Sequence, residues 1–396
     1  MIWSLNHDCI VTGPGEPSTC AGGSLSRKVE SMNSSAHPNL FDSLQLGAWS
    51  LPNRILMAPL TRCRASEGHV PNDLNAEYYG QRASAGLIIS EATSVSPHGY
   101  GYPNTPGIHT DAQVEGWKKV VQTVHSKGGR IVLQLWNVGR ISHPKFQPNG
   151  ELPIAPSAIA PRGKIFTGAA MEDYVVPRAL ELGEIPGIIA EYVAGAEKAK
   201  AAGFDGVEIH NANGYLLDQF LRDGTNHRTD RYGGTVTNRA RLTLEVTEAV
   251  ASVWGGNRVG IRFSPGGVFN DMHDSNPLET FGSVLRELNR FGLAYAHVTQ
   301  VTAQDIAHGA KPGVGPRELK GAFAGPIVSA GGFTLESGNR ALAEGWADAI
   351  AFGVPFLSNP DLPERFRRAA SLNTPDETTF YASGPKGYTD YPSLER

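Results

Sequence analysis

The chain has 396 residues, of which 40% are hydrophobic and 19% are charged, so it can bury a large core in one big domain or two ordinary ones. Its 35 basic and 39 acidic residues leave a formal charge of -4 without a basic run, which excludes the electrostatic pattern of nucleic-acid-binding and membrane-surface proteins. Three cysteines without metal-ligand spacing exclude a disulfide framework and a zinc site. No apolar stretch approaches the roughly 20 residues of a membrane span. We therefore expect a cytoplasmic protein that acts on small molecules and has no nucleic-acid, membrane or metal partner.

The first 36 residues lack a regular apolar period. They are rich in Ser, Gly, Pro and Asn, and such a segment cannot bury enough surface to offset the entropy of ordering. We predict a disordered extension over residues 1–36 and a folded domain over residues 37–396. Met32 is a candidate start of translation, because the patterned sequence begins only after it.

From Leu40 onward, short apolar runs alternate with helix-length amphipathic stretches. Eight runs are typical of buried strands: residues 54–60, 87–93, 130–136, 206–212, 259–265, 295–300, 326–332 and 349–356. The stretches between them place apolar residues about every three to four positions, which is typical of helices. Eight strand-and-helix units predict an α/β fold, an eight-stranded parallel (β/α)8 TIM barrel that uses the whole patterned length.

Two further features of the pattern refine this fold. A doubly wound sheet would alternate in the same way, but no G-x-G-x-x-G turn follows the first run, which disfavours a dinucleotide-binding domain. Residues 137–185, after the third run, are rich in proline and too long for a simple connection. We expect this insertion to form a lid or an extra hairpin over the mouth of the barrel.

Polar side chains occur where several of the predicted strands end. Any single strand-end Thr or Gln is most often a satisfied turn residue, but the carboxyl ends of barrel strands meet on one face, where barrel enzymes have their active sites. The residues concerned are Thr61, Glu91, Gln134, Trp136, His210, Asn213, Tyr215, Arg262 and the glycines after the seventh run. Their joint placement predicts a functional site at that face.

Several stretches carry a resemblance to a known family. They are MAPLTR, SAGLIISEAT, GRIVLQLWNVGRISH, FDGVEIHNANGYLLDQFL, NHRTDRYGGTVTNRARLTLEV, GIRFSP and FYASGPKGYTDYP. From about residue 39 to the C-terminus, and in this order, they resemble the old yellow enzyme family of flavin-dependent ene-reductases. The pair HNANGYLLDQF and RTDRYGG is the most specific part of the match. The family fold is an eight-stranded barrel that holds FMN noncovalently at its mouth, which agrees with the strand count.

The resemblance implies how the flavin ring is held. Gln134 and Arg262 match positions at the O2, N3 and O4 edge of the ring, where negative charge collects on reduction. A buried ion pair is the alternative explanation of Arg262. Thr61 matches the position whose hydroxyl contacts flavin O4, and because another branch has cysteine there, the chain resembles the classical branch. The backbones of Pro59 and Ala92 are expected to pack against the ring.

At the phosphate end, the resemblance implies a departure from the family. Gly331 and Gly332 can bring bare backbone amides to a phosphate, and Gly353 ends the eighth predicted strand. The family usually follows that glycine with an arginine that binds the phosphate, whereas this chain has Val354. A charged hydrogen bond is worth about 1.5–3 kcal/mol. We therefore expect weakened FMN binding.

The resemblance also assigns the reacting groups. His210 and Asn213 are expected to polarise the carbonyl or nitro oxygen of an electron-poor alkene, and Tyr215 to protonate the carbon opposite the face that receives hydride. The alternative is a polar capping turn that opens the following helix. Trp136 and Tyr102 are expected to line the substrate pocket, and each could equally be core packing. Asn270 and Tyr381 are weaker candidates.

These inferences predict an FMN-dependent oxidoreductase, an NADPH dehydrogenase or ene-reductase, that acts as a monomer or homodimer. NADPH or NADH would bind transiently over the flavin, since no dinucleotide-binding domain is predicted. Two alternatives remain. One is a flavin-bound isomerase, and the other is a barrel with weakened FMN affinity that binds a ligand without redox chemistry.

A chain that begins at Met32 should bind flavin and turn over like the full chain. No residue before that point belongs to a pattern able to pack on a core. Thermal unfolding and flavin content of the two chains, measured side by side, check this expectation. A large drop in melting temperature on truncation would show instead that the extension docks on the barrel.

Overall fold

Eight parallel strands close into one barrel in the computed structural model, which describes residues 37–310 and 312–395. The strands are β1 (Ile55–Met57), β2 (Ile88–Ile89), β3 (Ile131–Trp136), β4 (Gly206–His210), β5 (Val259–Phe263), β6 (Tyr295–Thr299), β7 (Ile327–Ala330) and β8 (Ala349–Phe352). Each strand pairs with the next one along the chain, and the pairing of β8 with β1 closes the ring. The predicted TIM barrel is confirmed, and each of its strands lies within a predicted run. The predicted extension over residues 1–36 lies outside the described residues.

Helices surround the barrel and follow most of its strands. They are α1 (Asp73–Gln81), α2 (Asp111–Ser126), α3 (Ile185–Ala201), α4 (Leu216–Leu221), α5 (Val236–Trp254), α6 (Pro277–Leu288), α7 (Ala303–Ala307), α8 (Pro316–Leu319), α9 (Leu335–Ala343), α10 (Val354–Ser358) and α11 (Leu362–Arg367). Their starts reflect local capping chemistry. Asn72 and Thr110 form capping boxes at α1 and α2, and the Thr235 side chain accepts a backbone N–H at the start of α5.

Side chains alternate between the two faces of each barrel strand. Along β5, Val259, Ile261 and Phe263 belong to the apolar layer between barrel and helices, whereas Gly260 and Arg262 face the interior. The amino-terminal half of the interior is filled by apolar side chains that include Leu56, Ala58, Leu87, Ile89, Val132, Tyr295, Val328, Ala349 and Ala351. A hairpin of strands Leu44–Leu46 and Trp49–Leu51 packs against the same side chains and closes that end.

The insertion between β3 and α3 contains two small sheets. Strands Lys164–Phe166 and Met171–Asp173 form an antiparallel hairpin, and Ile154–Ala155 pairs in parallel with Arg178–Ala179. The hairpin confirms the predicted insertion after the third strand. Just beyond it, Tyr174 packs against an aromatic cluster at the carboxyl end of the barrel. The insertion therefore contributes directly to the end of the barrel where the site was expected.

Two features are not found in residues 37–310 and 312–395. No helix there combines the length and the hydropathy that a bilayer crossing requires. The same residues contain no group of three or more His, Cys, Asp or Glu side chains arranged to hold a metal ion.

Replacing Gly260 with alanine should destabilise the barrel, because β5 passes directly against a buried ring. An added Cβ would lie 2.2 Å from Cζ of Tyr295, whose side chain is fully buried. Overpacking of this kind costs typically about 1–3 kcal/mol. Gly187, exposed in α3, is a matched control, since an added Cβ there meets no atom within 4 Å. Chemical unfolding at equal flavin content should therefore show a lower midpoint for Gly260→Ala alone, and equal midpoints would contradict the packing described here.

Candidate active site

One cleft opens at the carboxyl ends of the barrel strands. Its walls comprise Pro59, Leu60, Thr61, Ala92, Tyr102, Gln134, His210, Asn213, Tyr215, Arg262, Phe269, Val354, Leu357, Phe380 and Tyr381. The empty space of the cleft, counted together with its open mouth, is about 960 Å³. Nine of the predicted site residues line this cleft together, as does the weaker candidate Tyr381, whereas Trp136, Gly331, Gly332, Gly353 and the weaker candidate Asn270 are not among the lining residues.

The turn after β4 is held by the helix that follows it. Asn213 and Gly214 have φ angles of 58° and 77°, in the left-handed region that suits asparagine and glycine. From α4, Asp218 accepts the Gly214 N–H at 2.9 Å, and the Gln219 amide donates to the Gly214 carbonyl at 2.7 Å. The peptide between Asn213 and Tyr215 is therefore fixed on both sides.

A buried ion pair connects this turn to the end of β5. Arg222 lies 2.8 Å from Asp218, and its positive charge offsets the effect of burial, which raises the pKa of the Asp218 carboxyl. Arg222 also donates to the carbonyls of Ser264 and Gly267. The Ser264 hydroxyl accepts the Asn213 N–H at 2.7 Å. The ends of two neighbouring strands are thus held in one rigid arrangement.

His210 presents a neutral imidazole to the cleft. Burial lowers the pKa of this side chain well below its usual value, and the charge of Arg262 lowers it further. Within the described part of the chain, the Nδ1 atom of His210 is buried without a hydrogen-bond partner. A neutral imidazole carries one N–H donor, and a buried polar atom without a partner is costly unless a ligand satisfies it. His210 is therefore suited to hold a polar ligand atom.

Tyr215 faces His210 across the turn and keeps its proton at neutral pH. The two rings meet edge to face, with centroids 5.0 Å apart. Burial raises the pKa of the Tyr215 phenol to about 12, although hydrogen bonds with Tyr102 and Asn270 oppose the rise. The hydroxyls of Tyr215 and Tyr102 are 3.1 Å apart. Asn270 also donates to the Asn213 carbonyl at 2.8 Å, so it belongs to the support of the turn.

Trp136 lies behind the cleft wall. It is fully buried, its ring stacks on that of Tyr102 at 5.8 Å, and it meets the Tyr215 ring edge-on at 5.1 Å. In this arrangement Trp136 positions two phenols that line the cleft. Its predicted contact with substrate stays a prediction, whereas Tyr102 and the weaker candidate Tyr381 both line the cleft.

Gln134 and Arg262 provide the polar side of the cleft. Arg262 is nearly buried, and its Nε atom has no hydrogen-bond partner among the residues that the structure describes. Burial lowers the pKa of this guanidinium, and the nearby Glu208 carboxylate opposes the effect. Glu208 itself is hydrogen bonded to Gln134 and His297. An open guanidinium in this position fits the electron-rich edge of a flavin ring.

Glu91 connects the ends of β1 and β2. Its carboxylate accepts the Arg62 N–H at 3.2 Å and the Tyr79 hydroxyl at 3.4 Å, and burial raises its pKa to about 7. The hydroxyl of Tyr79 in turn accepts the Glu91 N–H at 2.8 Å. These contacts fix the sequence neighbours Thr61 and Ala92 at the cleft.

The far wall comes from the C-terminal segment. Arg62 donates to the carbonyls of Phe380 and Gly387, and Arg64 donates to several carbonyls of the same segment. These bonds hold Phe380 and Tyr381 against the cleft. Sequence patterns do not single out the apolar lining residues, because apolar side chains carry no chemical signal. These residues are Leu60, Phe269, Leu357 and Phe380. Two features of the sequence could have predicted this wall. They are the buried arginines at positions 62 and 64 and the aromatic pair at positions 380 and 381.

Comparison with known proteins places this geometry in a family. Residues 39–373 match the model of the NADH:flavin oxidoreductase / NADH oxidase family. The chain belongs to this family. A rice protein named putative 12-oxophytodienoate reductase 2 is 45% identical over 365 residues, covering 90% of this chain and 94% of that protein. A flavin oxidoreductase of Emericella nidulans is 44% identical over 380 residues, covering 89% of this chain and 97% of that protein.

Solved structures agree with this assignment. Morphinone reductase is 49% identical with a TM-score of 0.87, and the match covers 91% of this chain and 98% of that one. An old yellow enzyme homologue from Zymomonas mobilis is 46% identical with a TM-score of 0.87, and the match covers 90% and 100% of the two chains. The predicted old yellow enzyme family is thereby confirmed, as are FMN and a nicotinamide nucleotide as cofactors. The non-redox barrel is not favoured.

At the predicted phosphate end of this old yellow enzyme family member, the glycines are present and position 354 is valine. Gly331 and Gly332 have φ angles of 108° and 65°, which disfavour other residues, and a Cβ at Gly331 would lie 3.0 Å from the Gln300 carbonyl oxygen. Val354 is half-buried and lines the cleft. An apolar side chain therefore occupies the position for which the resemblance predicts a phosphate-binding arginine. Binding of phosphate by the three predicted glycines, which include Gly353, remains a prediction.

Replacing Val354 with arginine should tighten FMN binding by about tenfold or more, the worth of one charged hydrogen bond. At limiting FMN the melting temperature should rise by mass action. Fluorescence quenching titrations with FMN and riboflavin test the cause, since riboflavin has no phosphate. An equal gain for both ligands would mean that position 354 does not face the phosphate.

Proposed function

We propose that the protein is an ene-reductase that uses NADPH or NADH to reduce carbon–carbon double bonds activated by a carbonyl or nitro group. One observation carries the proposal. The neutral, buried imidazole of His210 and the protonated phenol of Tyr215 line the same cleft, with their ring centroids 5.0 Å apart. The reductases named among the relatives are consistent with this chemistry.

The residues of the cleft are suited to hold FMN. Gln134, Arg262 and Thr61 would contact the ring edge, with the backbones of Pro59 and Ala92 against the ring. The amides of Gly331, Gly332 and Gly353 would approach the phosphate. When bound in this cleft, FMN would supply the hydride-transfer chemistry between the nicotinamide and the alkene. The protein binds and orients the reactants, polarises the substrate and supplies a proton.

His210 and Asn213 polarise the substrate. A carbonyl or nitro oxygen gains negative charge as hydride adds to the distant carbon, and donors aimed at that oxygen stabilise the transition state. The His210 ring is neutral, so it donates one N–H without carrying a positive charge into the site. Asn213 sits three residues later on the turn fixed by Asp218 and Gln219. Both donors are therefore held in place before the substrate binds.

Tyr215 donates the proton to the substrate carbon. A phenol whose pKa is about 12 keeps its proton through the neutral and mildly alkaline range, yet a carbanion next to a carbonyl is basic enough to take it. Tyr102, with its hydroxyl 3.1 Å away, fixes the direction of the Tyr215 hydroxyl. A reduced product forms only when a proton is supplied as well as a hydride. The presence of Tyr215 as a proton donor therefore favours net reduction over the isomerase alternative.

The remaining parts of the proposal concern the cellular setting. The nicotinamide and the alkene would use the cleft in turn, because His210 and Asn213 can hold the oxygen of either. The cysteine usage supports a reducing, cytoplasmic location, and we infer that the protein acts as a monomer or homodimer.

A two-step spectroscopic experiment tests this function. The purified protein, after loading with FMN, should show the visible absorption of bound flavin. Anaerobic NADPH should bleach it, and an enone such as cyclohexenone should restore it. A preparation that binds FMN and is bleached but is not reoxidised by any enone or nitroalkene would exclude ene-reduction, and a preparation that does not bind flavin would exclude the whole proposal.

Tyr215→Phe should separate the two half-reactions. Flavin reduction by NADPH should stay near normal, while reoxidation by cyclohexenone should slow by about 10²–10⁴-fold, the usual contribution of a general acid. In the parent protein the reoxidation rate should be flat across neutral pH and fall only as pH rises toward the phenol pKa of about 12. Stopped-flow absorbance measures both steps.

Tyr232→Phe is the matched control, because Tyr232 bonds to Glu245 outside the cleft. It should leave both half-reactions unchanged. If Tyr215→Phe reduced cyclohexenone at the parent rate, water or another side chain would be the acid.

A further inference from the structure

A layer of polar side chains lies inside the barrel beneath the cleft. Glu208 precedes His210 by two residues on β4, so both face the interior. The Glu208 Oε1 atom accepts a hydrogen bond from Gln134 Nε2 at 2.7 Å, and Oε2 lies 3.0 Å from Nδ1 of His297. Glu208 and His297 are fully buried, and Gln134 is nearly so. Side chains of β3, β4 and β6 thus meet at one carboxylate.

This layer carries one negative charge. Burial alone would raise the pKa of the Glu208 carboxyl, but the groups around it, His297, Arg262 and Gln134, hold the pKa below its usual value. Burial lowers the pKa of His297, so its ring is neutral at neutral pH and donates the Nδ1 proton to Glu208. The opposing charge within the same barrel is that of Arg262, which lines the cleft.

We propose that Glu208 is a positioning residue for the flavin edge, which fixes the Gln134 amide and places a buried negative charge beside Arg262 that opposes flavin reduction. The inference rests on the proposed function, since it requires flavin in the cleft. It assigns a role to a residue that contacts neither substrate nor flavin ring in the mechanism above.

The orientation follows from hydrogen-bond chemistry. An ionised carboxylate only accepts hydrogen bonds, whereas an amide side chain has a donor end and an acceptor end. Because the Gln134 nitrogen donates to Glu208, the Gln134 oxygen is turned toward the cleft. An amide flipped the other way would set its oxygen against the carboxylate and lose the bond. Gln134 therefore offers an acceptor, which matches a ring N–H such as N3–H of flavin.

The effect on reduction follows from the charge balance. Arg262 is the cation available to stabilise negative charge that reduction adds to the ring edge. Glu208 is an anion near the same guanidinium, and it opposes that added charge. A unit charge about 10 Å away at an effective dielectric constant of about 20 changes such an equilibrium by about tenfold or more. The neutral form of residue 208 should therefore favour reduced flavin.

Glu208→Gln tests the charge, because glutamine keeps an acceptor for Gln134 and a group that can pair with His297. The equilibrium constant for reduction of bound FMN should rise about tenfold, which is about 30 mV for a two-electron couple. Potentials are measured on the FMN-loaded protein by equilibration with reference dyes. The matched control is Glu197→Gln on α3, which removes an exposed carboxylate that lies outside the barrel. The control should leave the potential unchanged.

A potential of Glu208→Gln equal to or below that of the parent would overturn the proposal. So would an equal rise in both variants, since that would be a nonspecific effect of lost charge. If the parent protein nevertheless binds FMN and reduces cyclohexenone, such results would overturn only the role of Glu208. The proposed function would stand.

A second measurement tests the orientation in the unchanged protein, where folding is not in question. FMN methylated at N3 cannot donate a hydrogen bond to the Gln134 oxygen. It should bind at least about tenfold more weakly than FMN, in proportion to the lost hydrogen bond and the added bulk. In Gln134→Ala, which has neither the acceptor nor the bulk, the difference between the two flavins should shrink. Equal affinities in the parent protein, or an undiminished difference in Gln134→Ala, would overturn the orientation.

Discussion

Burial of polar groups inside a closed barrel is the constraint on which the site depends. A parallel barrel excludes water from its interior, so each polar atom there must find a partner or carry a free-energy cost. Glu208 is satisfied by Gln134 and His297. Among the described residues, His210 Nδ1 and Arg262 Nε are not. Within the same residues, the Glu208 layer also contains an unpaired atom, His297 Nε2, but His210 and Arg262 line the cleft, where a flavin and an activated alkene can supply polar partners.

The geometry of the reacting groups is maintained by residues that do not react. Asp218 and Gln219 hold the Gly214 peptide, and Glu91 holds the end of β1 to the end of β2. Each support comes from a helix or from the neighbouring strand rather than from the cleft. Positions of reacting atoms matter to within fractions of an ångström. Loss of a support should therefore weaken catalysis without removing any group that touches the substrate.

The two ends of the cofactor site differ in how much they depend on charge. At the ring end, a buried guanidinium and an amide with a fixed orientation are held within the barrel. At the predicted phosphate end, Val354 occupies the position for which the resemblance predicts an arginine, so we expect backbone amides to carry the interaction. We therefore expect the binding energy for FMN to come mainly from contacts with the ring. The chemistry is performed at the same end, so a weakened phosphate site changes how much cofactor is bound more than how it reacts.

The sequence by itself determined the barrel and the chemistry of its mouth. Eight apolar runs separated by amphipathic stretches allow few closed arrangements, and strand ends rich in polar residues must meet on one face. His210, Asn213 and Tyr215 are close in the chain, so their grouping was visible locally. Only the tertiary structure decided that Trp136 lies behind Tyr102, that residues 380 and 381 form a wall, and that Glu208 joins Gln134 to His297. Those contacts connect elements far apart in sequence, and their register depends on barrel closure and side-chain packing, which no local pattern of residues encodes.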